Sequence, residues 1–116
     1  MKSFVPFFGA SAVILGALGA HALQDVLSPE EMASFKTAVL YQLVHSVALL
    51  AVANDENRKS TMRLWMLGIL FFSFSIYLLV FDRLLGIDLR ILGPLTPIGG
   101  LLFVAGWLSL WWPKKA

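Results

Sequence analysis

The chain has 116 residues, of which 59% are hydrophobic and only 14% charged, with nine Lys and Arg against seven Asp and Glu. A soluble domain is about 45–50% apolar and about 25% charged, and a short chain needs more polar cover than a long one. With a mean hydropathy of +0.80, the composition excludes a soluble globular domain, a disordered chain and a nucleic-acid binder, and it leaves an integral membrane protein; the lack of cysteine excludes a disulfide framework, zinc-finger or iron–sulfur spacing and a thiol nucleophile.

Residues 4–23 form the first charge-free apolar run. At 1.5 Å per residue such a run crosses a hydrocarbon core of about 30 Å as a helix. Gly9, Ala12, Gly16, Gly19 and Ala20 recur on it at three- and four-residue steps. In lipid, close backbone approach at small residues replaces the hydrophobic drive between helices, so this helix is expected to be the central packed element or a dimer face. Met1 to Ala22 also carries signal-peptide features, ending in Ala20-His21-Ala22, but the run is longer than a signal core and three more follow, so it is read as a retained span.

The second helix is expected at 29–53. Ser28-Pro29-Glu30-Glu31 is a start signal: Ser28 caps, Pro29 fits the first helical position and Glu31 completes a capping box. Tyr41, Gln42 and His45 share one face, with Ser46 four residues after Gln42. Polar groups are costly against hydrocarbon, so this face should look into the bundle or a subunit contact. The third helix is expected at 61–81 and carries Tyr77 toward its end. The connection 82–95 is the longest. Thr96-Pro97 repeats the start signal, so the fourth helix is expected at 96–112 after an extended or kinked 91–95, with Gly99, Gly100 and Gly106 as packing positions. Trp107, Trp111 and Trp112, followed by Lys114 and Lys115, read as an aromatic belt with snorkelling lysines.

The fold expected is an all-α, antiparallel bundle of four transmembrane helices in one domain. Lys2, Arg58, Lys59, Arg63, Lys114 and Lys115 fall on one side and Lys36, Arg83 and Arg90 on the other. The positive-inside rule then places both termini in the cytoplasm. His21, Tyr41, Gln42, Tyr77 and Thr96 are assigned to the outer half of the membrane, with His45 near its middle and the inner half nearly free of polar groups apart from Ser11.

Hydrogen bonding between helices is the plainest use of such residues. Haem ligation by His21 and His45 suffers from a height difference of roughly 12 Å. A metal or proton site would draw on His21 with Asp25, or Asp82 with Lys36, without firm ligand spacing. A lipid, quinone or small-solute pocket between helices is the other alternative. No catalytic motif is present: there is no H-E-x-x-H and no phosphate-binding loop.

Residues 9–22 (GASAVILGALGAHA), 35–45 (FKTAVLYQLVH) and 95–107 (LTPIGGLLFVAGW) together resemble the YgdD/YwdK family of small membrane proteins. That family is also called domain of unknown function 423, with eukaryotic relatives named transmembrane protein 256. The resemblance runs essentially end to end. It implies a four-span protein, in bacteria one of the inner membrane, and it implies no enzyme activity and no cofactor. It directs attention to His21, Tyr41, Gln42, His45, Thr96, Pro97, Gly99 and Gly100. The functional expectation is a non-enzymatic structural or interaction protein that contacts the lipid bilayer and forms a homo-oligomer or supports a larger membrane partner through its first helix.

Overall fold

The computed structural model describes residues 2–113, so the expectation for Lys114 and Lys115 lies outside the described residues. Helix α1 runs Val5–His21 and α2 runs Pro29–Val52. The third span comprises α3 (Lys59–Gly68), one stretch of wider π-helix (Ile69–Phe74) and α4 (Ser75–Leu85). Helix α5 (Leu95–Leu108) follows a short 3-10 turn at Arg90–Leu92. Four of these stretches, Lys2–His21, Pro29–Val52, Glu56–Leu85 and Arg90–Trp111, are long and apolar enough to cross a membrane.

Local chemistry sets the ends. At α2 the Glu31 amide donates to Ser28 Oγ (3.1 Å) while the Ser28 amide donates to Glu31 Oε1 (2.8 Å), a full capping box with Pro29 at the first helical position. At the close of α4, Gly86 takes the left-handed conformation (φ 71°), and the Ile87 amide returns to the Asp82 carbonyl (3.1 Å). A side chain is strained in that conformation and glycine is not. The third span outlasts its charge-free run because Arg83 stays helical: its guanidinium reaches Glu31 (2.7 Å) and the Val26 carbonyl (3.2 Å).

Lys2, Trp112 and the middle loop share one end of the bundle, here called the terminal end. Lys2 Nζ donates to Asn54 Oδ1 (3.2 Å), and Arg58 donates to the carbonyls of Ser109 (3.3 Å) and Trp112 (3.1 Å). The Arg83–Glu31 pair marks the far end.

Helix α1 packs on α2; α2 packs on the π-helical stretch and α4; α5 packs on α3 and the π-helical stretch. The centre is therefore α2 with the third span, and α1 is peripheral: 39% of the second span's most apolar window is buried against 22% of the first's. This corrects the expectation of a central first helix. Its small residues are nonetheless used. Ala12 is fully buried, a Cβ at Gly16 would lie 3.4 Å from Val39, and one at Gly19 would lie 2.7 Å from the Phe35 ring. They let α1 lie close to α2, while Val13, Ile14 and Leu18 remain exposed. Ala20 is exposed.

The third and fourth spans interlock by exchanging aromatic rings for glycines. Trp65 of α3 sits where Gly106 of α5 lacks a side chain, and Phe103 of α5 sits against Gly68 of α3. Gly99 lies against backbone itself, at Phe71 and Phe72 in the π-helical stretch. Gly100, one residue on, has only the Phe72 ring at 3.9 Å. A methyl group at Gly99 has no flexible side chain to displace, so Gly99→Ala is expected to destabilise the protein by about 2–3 kcal/mol. Gly100→Ala should fall within about 0.5 kcal/mol of the parent. Thermal melting of the two variants in detergent checks the contrast.

Candidate functional site

The buried face of α2 consists of Phe35, Ala38, Gln42, His45, Ser46 and Leu49. Gln42 has no exposed surface. Its Nε2 donates to the Phe8 carbonyl (2.8 Å) and to Ser11 Oγ (2.7 Å), and its Oε1 accepts from the Tyr77 hydroxyl (2.6 Å). The Phe8 carbonyl only accepts, and this fixes which way round the amide lies. One side chain thus joins the first, second and third spans. Ser46 Oγ donates back to the Gln42 carbonyl (2.6 Å), the usual way for a helix-interior serine to satisfy itself.

One turn nearer the terminal end, His45 lies in an aromatic box. Phe103 stacks on its ring at 3.8 Å and 13°, and Trp65 and Trp107 stand edge-on at 6.0 and 5.9 Å. Trp107 Nε1 can only donate, and it donates to His45 Nε2 (3.0 Å). The proton therefore sits on Nδ1, which bonds the Tyr41 carbonyl (2.8 Å). Both ring nitrogens are engaged, so a metal or haem iron would have to displace Trp107 to reach the one lone pair. Trp65 Nε1 is buried with no acceptor among the described residues.

Three further hydroxyl contacts tie the spans. Ser73 donates to the Ala38 carbonyl (2.8 Å), Ser75 pairs with Thr96 (2.6 Å), and Thr61 pairs with Ser109 (2.5 Å). Ser75 also donates to the carbonyls of Phe71 (2.6 Å) and Phe72 (3.0 Å), which the wider π-turn leaves accessible.

Of the expected polar residues, Gln42 and Tyr77 are bonded directly. His45 lies beside them with Trp107 as partner. Thr96 is with Ser75 instead. Tyr41 is 42% exposed and flanks the cluster, its ring 4.9 Å from that of Phe72. His21 is exposed at the far end of α1, whereas His45 stands near the opposite end of that helix, where Ser46 faces Gly9. The two histidines do not meet. Among the described residues no three His, Asp or Glu side chains converge as metal ligands. The polar groups are also not confined to the outer half. Gln42 is level with Ser11, the middle of the first span, and the His45–Trp107 and Thr61–Ser109 contacts lie nearer the terminal end. Ser73 and Ser75 escaped the sequence reading, and Trp107, expected in an aromatic belt, bonds His45 instead. The sequence carries a signal for Ser73 and for the inward face of Trp107, since Ser73 and Tyr77 are four residues apart, as are Phe103 and Trp107.

A lateral cleft of about 460 Å³ opens between the first and third spans, lined by Phe7, Ser11, Ile14, Leu15, Tyr77 and Leu78. Its walls are apolar, because the hydroxyls of Ser11 and Tyr77 are turned to Gln42.

A family model described as "Protein of unknown function (DUF423)" matches residues 15–100. The chain belongs to the DUF423 family. It is 40% identical to a UPF0382 membrane protein of Staphylococcus haemolyticus, over 95% of this chain and 93% of that one. It is 36% identical to a UPF0382 membrane protein of Haemophilus influenzae, over 93% and 87%, and 39% identical to one of Staphylococcus saprophyticus, over 95% and 94%. No solved structure matches it. The DUF423 match spans Gln42, His45, Tyr77, Thr96 and Gly99, while Phe8, Ser11 and Trp107 lie in the flanks.

Removing one partner from a saturated amide strands the others. Gln42→Leu is expected to cost about 1–3 kcal/mol, and Tyr77→Phe about 1 kcal/mol. The double variant should cost less than the two single costs added together, by about 1 kcal/mol. Melting temperatures of all four proteins in one detergent give this coupling directly.

Proposed function

We propose that this DUF423 protein is a non-enzymatic structural or interaction protein of the bacterial inner membrane. Its four spans act as one domain, and both termini and the 54–59 loop lie in the cytoplasm. The reading is carried by the way the polar groups of α2 are partnered within the bundle. The Gln42 side chain finds its partners in Phe8, Ser11 and Tyr77, and the two nitrogens of His45 find theirs in Tyr41 and Trp107. A general base or a ligand-binding amide needs a lone pair or donor left for the incoming molecule; both N–H groups of Gln42 and both ring nitrogens of His45 are already engaged. Because the small residues of α1 face α2, a second copy or a larger partner would meet the outward face of α1 at Ala10, Val13 and Ala17, which are exposed.

The second reading, a binder of lipid, quinone or small solute, draws on the cleft beside Ser11 and Tyr77. Mass spectrometry of lipid extracts separates the two. The structural reading expects Gln42→Ala to lower the melting temperature and leave the co-purifying molecules unchanged. A quinone or lipid that is present with the parent protein and lost with Gln42→Ala would replace it with the binding reading.

Orientation has its own test, made simple by the absence of native cysteine. In intact cells a membrane-impermeant maleimide should label Ile87→Cys. Asn57→Cys should be labelled only after the cells are opened. The reverse pattern would invert the topology.

A further inference from the structure

The arginines at the two ends of the bundle differ. At the far end each has a carboxylate: Arg83 pairs with Glu31 (2.7 Å) and Arg90 with Asp88 (2.8 Å). At the terminal end neither Arg58 nor Arg63 forms an ion pair among the described residues. Among the described residues the one acid lining their cavity, Glu56, is taken by Lys59 (2.8 Å). The cavity measures about 490 Å³ and its lining includes Arg58, Arg63, Ser60 and Trp112. Arg58 is fixed in place, since one of its nitrogens donates to the Ser109 and Trp112 carbonyls. Its other guanidinium nitrogens remain for an incoming acceptor. A guanidinium matches a phosphate with two parallel N–H donors.

The location selects the kind of phosphate. The third span begins at Glu56 and the fourth ends at Trp111, so the cavity lies at the level where helices leave hydrocarbon. Trp111 and Trp112 are 84% and 73% exposed, as indole rings are in the headgroup layer. We propose that this cavity binds the phosphodiester headgroup of an acidic phospholipid, held by Arg58 and Arg63 with Trp112 beside it. A basic pocket between spans is how acidic headgroups are held at a membrane surface. The site is separate from the Gln42 network and does not depend on what that network does.

The test is native mass spectrometry of the full-length protein in detergent, titrated with phosphatidylglycerol or phosphatidylethanolamine of identical acyl chains. The parent protein should retain phosphatidylglycerol preferentially. Arg63→Gln should weaken that retention about fivefold, and Arg58→Gln with Arg63→Gln about thirtyfold, at about a factor of five per cation. Arg90→Gln at the far end should leave it unchanged. Arg63 makes no hydrogen bond or ion pair among the described residues, so the single variant decides the matter if the double one fails to fold. Equal retention of the two lipids, or a preference that survives Arg63→Gln, overturns the proposal. Release of the lipid by millimolar inorganic phosphate, with inorganic phosphate itself retained in the absence of lipid, assigns the cavity to a free anion and overturns the lipid assignment.

Discussion

A primary amide in the middle of a membrane is tolerated only if its hydrogen bonds are made inside the protein, and Gln42 makes them to three different places. The carbonyl of Phe8 and the hydroxyl of Ser11 come from α1, and the hydroxyl of Tyr77 comes from α4. Hydrocarbon offers no replacement for a lost partner, and a stranded group costs about 1–3 kcal/mol. The relative heights of the first three spans are therefore coupled through one side chain. Sliding α1 along α2 by one turn would break two bonds at Gln42 and drive Phe35 out of the notch at Gly19. Register is set by polar groups and closeness by small ones.

The fourth span is held differently. It meets the third through shape: Trp65 at Gly106, Phe103 at Gly68, and Gly99 on the backbone of Phe71 and Phe72. Hydrocarbon supplies no hydrophobic force between helices, so contact area and the fit of rings into glycine notches must supply the attraction. The π-helical stretch belongs to this fit. Its wider turn presents the Phe71–Phe72 backbone to Gly99, and the carbonyls it loosens are taken up by Ser75, which also reaches Thr96. His45 links the two systems. It sits on the same α2 face as Gln42, and its partner Trp107 and its stacked ring Phe103 come from α5.

Sequence periodicity made much of this legible. Charged residues delimit the four spans, the Ser28–Glu31 pattern marks the start of α2, and the three-to-four spacing of Gln42, His45 and Ser46 identifies its inward face. Small residues on α1 signal close packing, but not against which neighbour. The helix is peripheral because its other faces carry nothing that lipid would reject, whereas α2 carries an amide and an imidazole that need cover on several sides. Depth was less legible. Counting along α2 alone does not reveal that Ser11 stands opposite Gln42, because α2 begins beyond the end of α1. The π-turn leaves no mark in composition, since Ile69–Phe74 reads as ordinary apolar helix. Trp107 looks like a belt residue from sequence because its position near the end of the span is visible, whereas the imidazole that accepts its N–H lies 62 residues away along the chain.

These constraints bear on where this DUF423 chain can meet other molecules. A recognition site needs groups whose hydrogen bonds or charges are incomplete before the partner arrives, since a saturated group gains little from a new neighbour and loses the old one. Both N–H groups of Gln42 and both ring nitrogens of His45 are taken. At the far end, Arg83 and Arg90 are matched by carboxylates. At the terminal end, Arg58 and Arg63 share a cavity whose one acid among the described residues is already bound to Lys59. Lys114 and Lys115 add two more positive charges to the sequence directly after Pro113. The hydrogen bonds of the interior hold the spans in register, whereas Arg58 and Arg63 stand without an ion pair among the described residues where the third span begins.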